Sequence, residues 1–403
     1  MRSGDGRTPT PGTHRSSSPQ ARDGSASPLT TAGGAPTTTP SVSTAPAKAA
    51  APATSAPPTT PPETAPPVGT PVATVGNLYA ETTIGKLSPA VRDVPTRVYV
   101  PNSDGQTLSI IDPATGTLLV TLPVGVLPHH IVPSWDLTTL YVLDTAGNTL
   151  VPIDPRTAAL GTPIPVEDPY NLYFTPDGST ALVIAERFKR IDARDPRTWQ
   201  LRWSVSVPHS GVNHGDFSLD GRFFYATCEF SGWVVKIDLL EQRIVAERKA
   251  GAQPIDLRLA PDASKLYVAD QGRGGVMMLH PTDLHELGFI PTGAGTHGLY
   301  FSRDVTRLYA TNRGAGTVSV IDLATNTVAA TWTVPRGGSP DMGSVSADGN
   351  LFWVSGRHHG EVYAFDTTSG ALVHRIKTGP GAHGLTLFPQ PGRFSMGHTG
   401  NYR

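Results

Sequence analysis

Cysteine is nearly absent: Cys228 stands alone, which excludes a disulfide framework and any multi-cysteine metal site. It ends the apolar run FFYATC, where a half-buried structural thiol is expected, since a catalytic thiolate needs an electropositive surround. Charge is scarce as well. Charged residues make up 16% of the chain, and residues 76–403 hold 27 Lys/Arg against 30 Asp/Glu, so the basic excess of a nucleic-acid binder is missing. Only a local basic face of Arg187, Arg273, Arg313 and Arg357 stays open, against a solvated rim. No apolar run is long enough for a membrane span, and the start MRSGDGRTPT has no signal-peptide core. G-x-S-x-G, H-E-x-x-H, P-loop and C-x-x-C-H motifs are all missing, and GRGG at Gly272 sits in a hairpin with no helix after it.

What is abundant is Gly and Pro, 42 and 39 residues, the composition of a turn-rich all-β chain. Fifteen of the prolines fall in residues 1–75, among Thr, Ser, Ala and Gly with almost no large apolar side chain. Such a segment cannot build a core and is expected to be a disordered, extended arm. Residues 76–403 are expected to form the folded domain.

That domain repeats. An acidic turn residue recurs at Asp136, Asp177, Asp220, Asp262, Asp304 and Asp348, with Gln390 in the last copy, at steps of 41, 43, 42, 42, 44 and 42. Five residues beyond each marker lies a large side chain: Tyr141, Leu182, Tyr225, Tyr267, Tyr309 and Trp353. Each copy reads as four short strands, as in HGLYFS, RLYATN, TVSVID and TVAATWTV, the pattern of a β-propeller blade. The first copy, from Arg97, lacks its first strand, and the chain ends on HGLTLF from His383, one strand with no sequel. Joining the two makes a seven-bladed all-β propeller whose C-terminal strand closes the N-terminal blade, and adds Tyr99 to the aromatic column. Blade three, VIAERFKRIDARD, departs most, having no Gly in its central loop.

The runs LYVLDTAGNTLVPID, LYVADQGRGGVMMLH and LYATNRGAGTVSVID resemble the bacterial YVTN-type, YncE-like β-propeller repeat over residues 97–390. Propellers of this kind occur in surface-layer and periplasmic proteins, lactonase-like propellers, quinoprotein amine dehydrogenases and haem- or copper-binding denitrification enzymes. The resemblance implies a seven-bladed and extracytoplasmic protein, with a cytoplasmic one as the alternative. It leaves function to the site.

In a propeller the first strand of each blade lines the channel. The residues entering it are His129 and His130, Asn171, His214, Asp256, His297, Asp341 and His383, with Glu229, Asp270, Arg273, Arg313, Arg357, His358 and His359 around them. Polar residues at a crowded crossing with hydrated imidazoles account for this pattern, and so does a pocket for a small molecule or protein ligand. A transition-metal site on His129, His214, His297 and His383 accounts for it too, because neutral imidazole suits Zn, Cu, Fe and Ni. The chain is expected to be a monomeric binding or scaffold propeller using this mouth. The alternative is a metal-, haem- or quinone-linked oxidoreductase component or a lactonase-like hydrolase.

Overall fold

Burial declines strand by strand from the axis outward, as the repeat predicts. In the sixth blade the strands Thr296–Phe301, Arg307–Asn312 and Thr317–Asp322 are buried along most of their length, while Thr327–Thr333 is largely exposed. Inner strands lie between neighbouring blades on both faces and so read as continuous apolar runs; the outer strand meets solvent and does not. The computed structural model describes residues 77–398 and 400–403, and the arm expected over residues 1–75 lies outside them. Among the described residues no helix is long and apolar enough to cross a membrane.

Seven sheets form, each of four antiparallel strands in chain order apart from two departures. One was expected: Thr386–Phe388 pairs with Arg97–Asn102, through Arg97 with Phe388, Val98 with Leu387 and Tyr99 with Thr386, and closes the ring. The other corrects the expectation that nothing follows the closing strand. Ser395–Gly397 and Asn401–Tyr402 add to the inner edge of blade three, making a six-stranded sheet. The tail is drawn there because Phe394, Met396 and Tyr402 are apolar and find burial beside the channel.

The aromatic column is core. Tyr99, Leu182, Tyr225, Tyr267, Tyr309 and Trp353 are buried, and Tyr141 is half-buried. Three of its hydroxyls also latch the next blade: Tyr99 donates to the Pro155 carbonyl at 3.5 Å, Tyr225 to that of Pro281 at 3.0 Å and Tyr267 to Asn326 Oδ1 at 2.6 Å. Blade three keeps the common loop length despite lacking glycine. The left-handed position that Gly316 fills in blade six, at φ 68°, is taken there by Lys189 at 52° and in blade two by Asn148 at 57°. Cys228 is fully buried, and burial pushes its thiol up to about 12, which fits a structural side chain.

The end of the channel away from the mouth is covered. The Leu78 amide donates to the Pro261 carbonyl at 2.8 Å, and Tyr79 donates to the Leu259 carbonyl at 2.9 Å. Arg403 pairs with Asp216 at 2.8 Å, with its guanidinium 4.8 Å from the Tyr79 ring centre.

Candidate metal centre in the propeller channel

In five blades the pairing of the first and second strands slips by one residue where the chain reaches the axis: between Pro128 and Ile131, Val212 and Gly215, Pro254 and Leu257, Thr296 and Leu299, and Pro340 and Gly343. Two residues then oppose one on the partner strand, a bulge that frees both from the ladder where the chain meets the axis. The single ring of polar groups expected from the sequence is therefore two layers. Nearer the mouth stand His129, Tyr170, Asn213, Ile255, His297, Asp341 and His383; behind them stand His130, Asn171, His214, Asp256, Gly298, Met342 and Gly384.

His129, His130, His214, His297 and His383 come together as the repeat geometry predicts, and a sixth imidazole, His398, arrives on the tail. Ring centres lie 4.2 Å apart for His129 and His383, 4.8 Å for His130 and His383, 5.2 Å for His130 and His214, and 4.8 Å for His214 and His398. None of the six is more than 8% exposed, so the rings stand inside the channel and not on an exposed rim. Two sets of three, His129 with His130 and His383, and His130 with His214 and His398, each place one nitrogen per ring within 4.8 Å of the others. His297 stands beside the first set, its ring 5.8 Å from that of His383, and belongs to neither.

Asp341 organises the mouth side. Its Oδ2 accepts from His383 Nδ1 at 2.6 Å, and its Oδ1 accepts from Arg313 at 2.7 and 3.1 Å. His297 Nδ1 lies 2.8 Å from the same Oδ1 but off the linear N–H···O direction. Burial alone would raise this carboxyl; the Arg313 guanidinium and the two imidazoles overcome it and hold Asp341 well below the usual range. The imidazoles shift the other way. Burial, with Arg313 and Arg357 adding, brings His297 down to about 4; burial, with Arg357 adding and Asp341 opposing, brings His383 to about 3. His129, His130 and His214 also fall well below the ordinary value, first from burial and then from neighbouring imidazoles, His383 beside His129 and His130, and His297 beside His214. All are therefore neutral near pH 7, the form that binds metals.

Several of these nitrogens are buried with no hydrogen-bond partner: His129 Nδ1, His383 Nε2, and both ring nitrogens of His130 and of His214. Each such atom costs about 1–3 kcal/mol unless something satisfies it. With Asp341 holding the Nδ1 proton of His383, its bare Nε2 carries the lone pair.

Above the histidines the residue after each second strand forms a collar. Glu186 and Glu229 occupy blades three and four, Gln271 blade five, and Arg313 and Arg357 blades six and seven, all half-buried. Gln271 joins the halves, donating to Glu229 at 2.6 Å and accepting from Arg313 at 3.4 Å. Burial, then Glu229 and Asp168, push Glu186 up to about 8.

The other residues singled out from sequence serve the frame. Asp256 accepts from the Leu257 and Leu299 amides, both at 2.8 Å, stitching blade five to blade six. Asn171 lies 3.0 Å from His398 Nδ1 and seats the tail. Asp270 caps backbone amides of its own loop and of the one before it, and Arg273 turns outward to Glu286 at 3.0 Å, so neither joins the mouth. His398, Tyr170 and Glu186 were missed. A histidine in an apolar tail, Phe394 to Tyr402, was the available signal for the first.

Comparison with known proteins places the fold. The chain is 31% identical over 127 residues to the dihydro-heme d1 dehydrogenase of Pseudomonas aeruginosa, an alignment covering 31% of this chain and 23% of that protein. This chain therefore matches less than a quarter of that relative's length. Among solved structures, a functionally unknown protein from Desulfotomaculum acetoxidans superposes with a TM-score of 0.62 at 15% identity, over 72% of this chain and 98% of that one. The hydrazine synthase of Kuenenia stuttgartiensis superposes at 0.55 with 17% identity, over 63% and 87%. The profile of the YncE-like β-propellers matches residues 75–391, nearly the whole ring and the strand that closes it, and this chain belongs to that family.

Proposed function

We propose that the channel of this propeller binds a d-block metal ion through His129, His130 and His383, with Asp341 orienting His383. One observation carries the reading. His383 is held through Nδ1 by a buried carboxylate 2.6 Å away, while its buried Nε2 has no hydrogen-bond partner and faces two further histidines. That is the carboxylate–histidine arrangement that fixes tautomer and direction in metal sites.

A donor set of neutral imidazoles favours Zn, Cu, Ni or Fe over Mg or Ca, which prefer oxygen. A tetrahedral ion with bonds of about 2.0–2.1 Å holds its ligand nitrogens about 3.3 Å apart, so the three rings close in slightly on loading. Three protein ligands would leave a tetrahedral ion one position for a small polar ligand. Three converging buried imidazoles, one of them the carboxylate-held His383, favour a metal-linked function over a plain binding surface. The Pro/Thr-rich arm and the family suit export, so the protein is proposed to work as an extracytoplasmic monomer.

Purified protein stripped with chelator and supplied with Zn, Cu, Ni or Fe(II) should take up at least one of them stoichiometrically. The double variant His129→Ala, His383→Ala should lose that uptake while keeping its β-sheet circular dichroism. Equal, near-zero occupancy in both would eliminate the proposal.

A further inference from the structure

Four arginines lie in or beside the loops that follow second strands, and three are matched by a carboxylate. Arg187 lies 3.7 Å from Asp168, Arg273 3.0 Å from Glu286 and Arg313 2.7 Å from Asp341. Arg357 has no carboxylate within ion-pair distance among the described residues; its side chain makes one hydrogen bond, to Ser103 Oγ at 3.1 Å. A half-buried guanidinium carries five donors in a fixed fork, and one neutral acceptor leaves most of them to solvent or to a ligand.

Arg357 also lies where a ligand has room. It lines an open groove of about 430 Å³ between blades seven and one, with His358, His359, Lys377 and the backbone from Thr378 to Gly381. Lys377 is matched by Glu361 at 2.9 Å, and Asp104, also in the groove lining, is exposed. The acidic half of the collar, Glu186 and Glu229, belongs to blades three and four, across the ring. An anion is thus turned away from one side of the mouth and drawn to the other.

We propose that Arg357 anchors an oxyanion-binding subsite in the groove between blades seven and one, which takes the carboxylate or phosphate group of a small molecule. The fork of the guanidinium accepts two oxygens of such a group side by side, and Ser103 holds it in place meanwhile. His358 and His359 line the same groove, with His359 Nδ1 2.9 Å from Ser339 Oγ. The subsite does not depend on a metal, so it is tested on chelator-treated protein.

Isothermal titration at constant ionic strength should show saturable binding of inorganic phosphate or of succinate, and competition between the two if one subsite serves both. Binding of phosphate alone, or of succinate alone, assigns the group it takes. Arg357→Gln should weaken this at least tenfold, Arg357→Lys should restore only part of it, and Arg273→Gln should leave it unchanged. Thermal melts of each variant confirm folding. Absence of saturable binding for both probes, or equal binding by wild type and Arg357→Gln, overturns the proposal. Anion binding by a protein that takes up no metal would retain this subsite and remove the metal centre.

Discussion

Replacing Asp341 by Asn tests the metal centre at its support and not at its ligands. The carboxylate holds the His383 ring and pairs with Arg313, whose side chain is 19% exposed. Breaking a buried pair by removing one partner costs about 3–5 kcal/mol, and the partial exposure of Arg313 argues for the lower end, about 3 kcal/mol. Unfolding entropy of about 2.1 cal/mol/K per residue over the roughly 325 folded residues converts this to a fall of about 4 °C in Tm. A stable propeller survives that loss. Metal affinity should drop by about 10–100-fold, the usual cost of removing the carboxylate behind a ligating histidine. Competition against a chelating dye measures the affinity. A second readout separates positioning from mere destabilisation: the strongly hydrogen-bonded Nδ1–H of His383 should give a far-downfield proton resonance in wild type that vanishes in Asp341→Asn. If the variant loses the expected stability but binds metal as tightly as wild type, Asp341 is a structural ion-pair partner and the argument built on His383 is wrong.

Two further outcomes follow from the same geometry. At pH 6.0, three histidines with ordinary titration would release about two protons on binding a metal, whereas rings held neutral by burial should release almost none; calorimetry in buffers of different ionisation enthalpy counts them. The sign for folding is opposite to that of a salt-bridged histidine. Because folded His383 and His297 titrate near 3 and 4, below the unfolded value, their contribution is full above about pH 6.5 and is lost as pH falls toward 3, so acid should unfold the metal-free protein in that window. Gly384→Ala would set a Cβ 2.4 Å from His130 Nδ1 and 2.6 Å from the His129 carbonyl oxygen. It should displace His130, lower Tm and abolish metal uptake, and unchanged uptake would show that His130 is not a ligand.

Much of this architecture was legible without coordinates. A period of about 42 residues, one large side chain per copy and two half-blades at the chain ends determined the seven-bladed ring, because a four-stranded blade can bury its faces only against its neighbours. The same repeat brought His129, His130, His214, His297 and His383 to one axis, since equivalent positions in a closed ring must converge. Tertiary structure alone decided the rest. A one-residue bulge, which leaves no mark in composition or spacing, sorted those residues into two layers and made Asp341 a partner of His383 while Asp256 became a stitch between blades. Burial then held the imidazoles neutral where a hydrated mouth would have let them titrate. The tail had no repeat to follow, so only packing against the inner strand of blade three could carry His398 into the cluster. Pairing likewise depends on where side chains turn: of four arginines in or beside the loops after second strands, three found carboxylates and one, Arg357, did not.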